Sequence, residues 1–178
     1  MNFTLVTGNP GKLSEFKRLL PNNITFDHYD INLEEIQSLD NNEIVTAKVT
    51  AAYAALQRPV LVEDVSAGIN ELCGLPGPFI KFFETQMGSD ALYKLRGETA
   101  ATVVCTIGYY DGTILLLASG TVHGQTVAPR GNYGFGFDVC FMPDGHTKTF
   151  AEMPPLEKDA ISHRSLAVAD LVAQFKQL

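Results

Sequence analysis

The run Pro59-Val60-Leu61-Val62-Glu63-Asp64 does more than any other stretch to limit what this chain can fold into. Its apolar residues follow one another without a polar interruption, as in a strand buried within a sheet; a strand with one wet face would alternate. Two carboxylates close the run. In open α/β sheets ligands bind at the C-terminal ends of strands, so a carboxylate there can hold Mg²⁺ or activate water. Asp64 can equally cap the turn that follows it, and the run alone leaves both readings open.

The flanking sequence supplies further strands and helices. Residues 2–6 form a short apolar strand that ends in the turn-rich Thr7-Gly8-Asn9-Pro10-Gly11. Residues 12–20 read as a helix with Leu13, Phe16, Leu19 and Leu20 on one face, stopped by Pro21. Residues 24–29 make a second strand, and Asp40 caps a long helix over 44–56 with Glu43 in its first turn. Beyond the Gly/Pro-rich stretch 74–78, residues 79–87 and 90–95 read as helices. Strands over 101–110 and 113–127 are joined by Asp111-Gly112, a two-residue hairpin signal. An aromatic-glycine loop (133–138), a short helix near 156–160 and a final helix from about Ser162 to Phe175 complete the chain. The pattern is an α/β domain with a mixed sheet: helix-connected strands first, then a long hairpin. With no internal repeat, low-complexity tract or linker, residues 1–178 are expected to form one domain.

Composition excludes several function classes. The net charge is −7, which disfavours binding to duplex nucleic acid but allows a small anionic ligand where basic groups converge. No apolar run approaches the ~20 residues of a membrane helix, and the start of the chain has no signal-peptide pattern. Cys73, Cys105 and Cys140 are odd in number and lack metal-ligand or redox spacing, which argues for a reducing compartment and against zinc. A cytoplasmic protein without membrane or nucleic-acid partners is expected.

Other stretches carry chemistry. Residues 7–12 join a strand to a helix N-terminus, where backbone N–H groups and the helix dipole favour phosphate; Lys12 adds a full charge, and Gly8 and Gly11 permit close approach. The stretch is not a Walker P-loop, lacking its spacing and final Ser/Thr, and by itself it is compatible with a plain turn. Glu34-Glu35 is a second candidate metal pair or else a solvated one. Lys158, His163 and Arg164 gather near a helix start, where cations are disfavoured, so a ligand is one reason for their presence; a structural His163 is the other.

In order along the chain, these stretches resemble the inosine triphosphate pyrophosphatase (Ham1-like) family. Thr7-Gly8-Asn9 with Lys12 is similar to that family's T-G-N-x-x-K opening. Residues 59–64 (PVLVED), 74–81 (GLPGPFIK), 135–138 (FGFD), 151–153 (AEM) and 157–164 (EKDAISHR) match further family elements in the same order. The resemblance implies an elongated mixed β-sheet flanked by helices, in two lobes with the nucleotide cleft between them, and commonly a homodimer. It also implies roles. Thr7, Gly8, Asn9 and Lys12 cradle the triphosphate; Glu35 and Asp64 hold Mg²⁺, or Mn²⁺ in its place, with Glu34 the alternative to Glu35 because the alignment needs a one-residue insertion there. Asp64 also activates water, Lys48 faces the ligand and Lys81 neutralises phosphate. Phe135 stacks on the base beside Gly136, while Phe137, Asp138, Lys158, His163 and Arg164 surround its edge.

The implied reaction is hydrolysis of non-standard purine nucleoside triphosphates (ITP, dITP, XTP) to monophosphate and pyrophosphate. Lys158, Arg164 and a protonated His163 can only donate hydrogen bonds, which suits the O6 acceptor of hypoxanthine or xanthine and leaves donors facing the 6-amino group of adenine. The chain departs from the family pattern at Val65, where Ser or Thr usually follows the Asp, at Phe137 in place of Trp or Tyr, and at Val139 in place of Pro. A nucleotide-binding regulator without activity and a pyrophosphatase for modified pyrimidine or methylated nucleotides are the alternative readings.

Overall fold

The computed structural model describes residues 1–178. In chain order its elements are β1 (Asn2–Val6), α1 (Pro10–Leu19), β2 (Thr25–Tyr29), α2 (Asn41–Leu56), β3 (Val60–Ile69), β4 (Pro76–Gly77), α3 (Ile80–Met87), α4 (Ala91–Arg96), β5 (Thr99–Tyr110), β6 (Leu115–Thr126), β7 (Phe141–Pro143), α5 (Pro155–Asp159) and α6 (His163–Phe175). The sheet has seven strands in the order β2-β1-β3-β5-β6-β7, with β4 paired to β3. It is mixed, as the sequence pattern predicts: β1 is parallel to β2 and β3, while β4 runs against β3 and β7 against β6.

The residues group into two compact units. The first comprises Met1–Asp64, Cys105–Gly120 and Arg164–Leu178; the second comprises Val65–Val104 and Thr121–His163. In the first, the register Thr4↔Val60 and Leu5↔Leu61 sets the apolar run of β3 beside β1. Val45, Val49 and Ala52 repeat at helical spacing on α2 and pack against Val60 and Val62, which share one face of β3. The Asp40 carboxylate caps α2 by accepting from the Asn42 amide. In the second unit the core collects Ile69, Leu92, Val103, Phe137, Phe141, Phe150 and Met153.

The sequence pattern does not predict the short strands β4 and β7, and three of the boundaries that differ from it have identifiable physical causes. Helix α1 begins at Pro10 rather than Lys12, because the Asn9 side chain accepts from the Gly11 and Lys12 amides and Pro10 suits a first helical position. The closing pair of the hairpin is Asp111–Ile114, with Gly112-Thr113 between them; the Asp111 carboxylate accepts from the Thr113 and Ile114 amides and shifts the turn by one residue. Most important for the site, β3 does not end at Glu63-Asp64. It continues to Ile69 and pairs with β4 through Ala67↔Gly77 and Gly68↔Pro76. Asp64 therefore lies within a strand and caps no turn.

The extension of β3 depends on the absence of a side chain at residue 68. A Cβ on Gly68 would overlap the carbonyl oxygen and carbon of Gly74, which are backbone and cannot swing aside. Gly68→Ala is accordingly expected to cost about 3 kcal/mol, in the range of overpacking into fixed structure. Urea unfolding checks this; a loss below about 0.5 kcal/mol, the size of an ordinary surface change, contradicts it.

Candidate active site

Alternation along β3 turns the two neighbouring carboxylates to opposite faces of the strand. Leu61 and Glu63 share one face; Val60, Val62 and Asp64 share the other, the face that α2 covers.

On the Glu63 face the first unit buries a closed set of charges. Glu63, Glu15 and Arg164 are 3%, 4% and 1% exposed, so each needs a partner. Arg164 donates to both Glu63 oxygens, from Nε at 2.5 Å and from Nη2 at 2.9 Å, and its Nη1 donates to Glu15. Lys12 Nζ lies 2.8 Å from Glu63 Oε1. Two anions meet two cations. Burial would raise the Glu63 carboxyl, but Arg164 and Lys12 overcome it and hold it well below the usual carboxylate range. Burial likewise works against the Lys12 ammonium, and Glu63 more than offsets it, so Lys12 stays charged at neutral pH.

The Asp64 face is less completely paired. Asp64 Oδ2 is buried without a hydrogen-bond partner, and burial pushes the Asp64 carboxyl up to about 6 against the pull of Lys12 and Lys48. Lys48, on the same helical stripe as Val45, Val49 and Ala52, reaches Glu35 Oε1 at 2.5 Å and stands 3.9 Å from Asp64 Oδ1. It is Glu35, in the irregular segment 30–40, whose carboxylate meets Lys48. Beside this set, the loop after β1 is held from both sides. Its Asn9 amide donates to Thr7 Oγ1, and His28 Nε2–H on β2 donates to the Thr7 carbonyl at 2.6 Å. Asp30 lies against Gly8, where a Cβ would come within 2.7 Å of its carboxylate. Two amides that the sequence offers to phosphate, those of Gly11 and Lys12, are taken by the Asn9 side chain, because an uncapped first turn would leave them unsatisfied.

The second unit carries an aromatic and cationic set of its own. Lys158 Nζ donates to Asp138 Oδ2 at 2.6 Å, with both side chains buried, and the same oxygen accepts from the Phe135 amide at 2.9 Å. The Lys158 ammonium also sits over the rings of Phe135 and Phe150, 5.2 Å and 5.4 Å from their centroids. His163 packs between Phe137 and Phe150. Gly136 takes a φ of 58°, which suits glycine, and turns the chain from Phe135 toward Asp138. Lys81 is exposed at the start of α3.

The sequence matches the Ham1 family over residues 3–174. The chain belongs to the Ham1 family. It is 42% identical to the inosine triphosphate pyrophosphatase of Yarrowia lipolytica over 177 residues, covering 96% of this chain and 94% of that one. It is 40% identical to the enzyme of the same name from Schizosaccharomyces pombe, covering 93% and 90%. Among solved structures, a HAM1 protein from Coxiella burnetii superimposes with a TM-score of 0.84 at 27% identity, with both chains fully covered. The Staphylococcus aureus Ham1 protein gives 0.83 at 26%, covering 99% of each.

In this Ham1-family chain, the residues singled out by sequence fall into two sets. Thr7, Gly8, Asn9, Lys12, Glu35, Lys48, Asp64 and Arg164 lie in the first unit; Lys81, Phe135, Gly136, Phe137, Asp138, Lys158 and His163 lie in the second. Two of them have surroundings the sequence did not suggest. The Arg164 guanidinium is gripped by Glu63 and Glu15, and Phe137, 7% exposed, belongs to the core cluster against Phe141. The role of Glu15 was missed. Its signal was available: three residues after Lys12 and one before Phe16, it lies on the apolar stripe of α1, where a lone carboxylate demands a cation.

Proposed function

We propose that this chain hydrolyses non-standard purine nucleoside triphosphates bearing a 6-oxo base (ITP, dITP and XTP) to the monophosphate and pyrophosphate. The observation that carries this reading is the Asp64 carboxylate: raised to about 6, with one oxygen buried and unpartnered, in a chain closely similar over nearly its full length to inosine triphosphate pyrophosphatases.

A divalent ion fits the residues present. Glu35 and Asp64 offer hard carboxylate oxygens, one of the Asp64 oxygens being buried without a hydrogen-bond partner. Mg²⁺ commonly uses one or two protein carboxylates and completes its shell with phosphates and water. Glu35 and Asp64 would hold Mg²⁺ or Mn²⁺, which when bound supplies positive charge to the phosphates under attack.

The chain's own groups do the rest. Asp64 accepts the proton of the attacking water; one of its oxygens is buried without a protein partner, and at pH 7 the carboxyl is ionised. Lys12, kept charged by Glu63, offsets negative charge on the leaving pyrophosphate, and Lys81 adds to it. Thr7, Gly8 and Asn9 form the loop that receives the triphosphate, fixed by the Asn9 cap and by His28. In the second unit, Phe135 offers a half-buried ring for stacking, and Lys158, oriented by Asp138, supplies a donor suited to O6. His163, packed between Phe137 and Phe150, belongs to the set assigned to the base, whereas Arg164 is engaged by Glu63 and Glu15 and serves as their counter-ion.

A cytoplasmic homodimer is part of the same proposal. Free thiols suit a reducing compartment, no helix is long and apolar enough to cross a membrane, and the dimer is what the family resemblance implies.

The test is pyrophosphate release, with product analysis, from ITP, dITP, XTP, GTP, ATP and dUTP in the presence of Mg²⁺. Turnover of ITP, dITP and XTP at least about tenfold above ATP is expected, a gap of about 1.4 kcal/mol that one mismatched donor readily supplies. IMP and pyrophosphate are the expected products. No release from any nucleotide points to the binding-only alternative, fastest turnover of dUTP to the pyrimidine one, and IDP as the main early product ends the pyrophosphatase reading.

A further inference from the structure

We propose that Lys48 is a resident counter-ion of the carboxylate site: in the unloaded enzyme its ammonium takes the electrostatic place of the divalent ion, and it gives up that place when ion and nucleotide arrive together. The inference rests on the reading of Glu35 and Asp64 as metal ligands.

The geometry is that of a cation between two anions. Lys48 Nζ is 2.5 Å from Glu35 Oε1 and 3.9 Å from Asp64 Oδ1, with 15% of the lysine side chain and 14% of the aspartate side chain exposed. A divalent ion held by the same two carboxylates needs oxygens at about 2.0–2.1 Å, the normal Mg²⁺ distance. Such an ion and the ammonium would compete for Glu35 Oε1 in almost the same volume. They would also repel each other at that short range, although the Glu35 side chain is 37% exposed and water softens the repulsion. With Lys48 in place the two carboxylates and the ammonium sum to one negative charge; with the ammonium withdrawn they present two to a divalent ion.

The element beneath permits such an exchange. Lys48 stands on the buried stripe of α2, between Val45 and Val49, both 0% exposed, so its backbone is fixed. Its side chain is a flexible four-carbon stem ending in a point charge, able to redirect by several ångströms without moving the helix. Triphosphate oxygens supply the new partner, and the nucleotide brings the charge that the ammonium then meets. Two consequences follow by linkage: the ion alone binds weakly, and ion and nucleotide bind with positive cooperativity.

The experiment measures Mn²⁺ binding by electron paramagnetic resonance on the intact enzyme, first without nucleotide. Lys48→Met is expected to bind Mn²⁺ about tenfold more tightly than the wild type, within the usual span of coupling between sites. Lys48→Gln, which keeps a polar end, is expected to show the same direction of change and serves if the methionine variant folds poorly. With a non-hydrolysable ITP analogue present, the difference is expected to shrink to about twofold or less, because the wild-type ammonium has already moved. Glu35→Gln in either background reports on the site itself and is expected to weaken Mn²⁺ binding. If Glu35→Gln weakens binding but both Lys48 variants match the wild type, the counter-ion role is overturned and the metal assignment stands. If Glu35→Gln changes nothing in any background, the metal assignment falls and the counter-ion role with it.

Discussion

Asp64→Asn is expected to abolish turnover and, in the same molecule, to stabilise the metal-free fold. The first effect follows from chemistry: an amide cannot take a proton from water, and loss of a general base costs about 10²–10⁴-fold in kcat. The second follows from burial. Asp64 has a folded pKa of about 6 against an ordinary 3.8, so its ionised form is disfavoured in the native state. Below the unfolded pKa the carboxyl is protonated in both states and there is no penalty. The penalty develops as pH rises from the unfolded value toward the folded one, and above the folded value the wild type bears all of it. A difference of about 2 units corresponds to about 3 kcal/mol at most, and retention of a buried polar amide brings the expected gain to about 1–3 kcal/mol. For a chain of this size that is a rise of roughly 2–12 °C in the thermal midpoint at pH 8, shrinking toward zero near pH 4. The measurements are steady-state kcat for ITP and thermal unfolding across that pH range in EDTA. Retention of activity within about threefold of wild type removes Asp64 from the mechanism, far short of the loss a base should cause. A midpoint lower than wild type at pH 8 would contradict the account of its burial.

Glu63→Gln, one residue earlier, is expected to do the opposite to stability. Glu63 is 3% exposed and holds both Arg164 and Lys12, so the substitution leaves Glu15 alone against the buried Arg164 and the partly buried Lys12. Removing one partner of a buried ionic group typically costs about 3–5 kcal/mol, chiefly because the charge left behind is neither solvated nor paired. A fall of roughly 6–20 °C in the thermal midpoint corresponds to that range. The sign with pH supports the same experiment. The folded Glu63 pKa lies well below its ordinary 4.5, so its contribution is present above the unfolded value and is lost as pH falls through the folded one. Wild type and Glu63→Gln should therefore differ most near neutral pH and converge in acid. Lys12→Met, which leaves the Arg164–Glu63 pair intact, should cost less than Glu63→Gln. A Glu63→Gln loss below about 1 kcal/mol would mean that the four charges do not depend on one another.

These adjacent residues show what a one-dimensional reading could and could not reach. Both were visible as carboxylates at the end of an apolar run, and because β3 continues past them, alternation sets them on opposite faces. Which was which depended on Lys48 from α2 and on Arg164, 101 residues downstream of Glu63, and no local spacing reports such a partner. The apparent misplacement of cations near the start of α6 has the same resolution, for Arg164 is neutralised by Glu15 and Glu63 and Lys158 by Asp138.

Local rules were sufficient for the elements themselves. Apolar periodicity, Asp40 as a cap, Pro21 as a stop and the Asp111-Gly112 turn located the longer helices and the strands β1, β2, β5 and β6 to within a few residues, because each signal acts over one or two turns of chain, while the short strands β4 and β7 and the far end of β3 carried no such signal. The ordered motifs 7–12, 59–64, 74–81, 135–138 and 157–164 were enough to place the chain in its family. Tertiary structure alone decided that β3 runs on past Asp64, since Gly68 must admit the Gly74 backbone before β4 can pair. It alone decided that Asp64 keeps a buried oxygen without a partner while Glu63 is saturated. The physical reason is range: backbone propensity is set by neighbours in sequence, whereas the protonation and pairing of a buried charge are set by whatever the fold brings within a few ångströms of it.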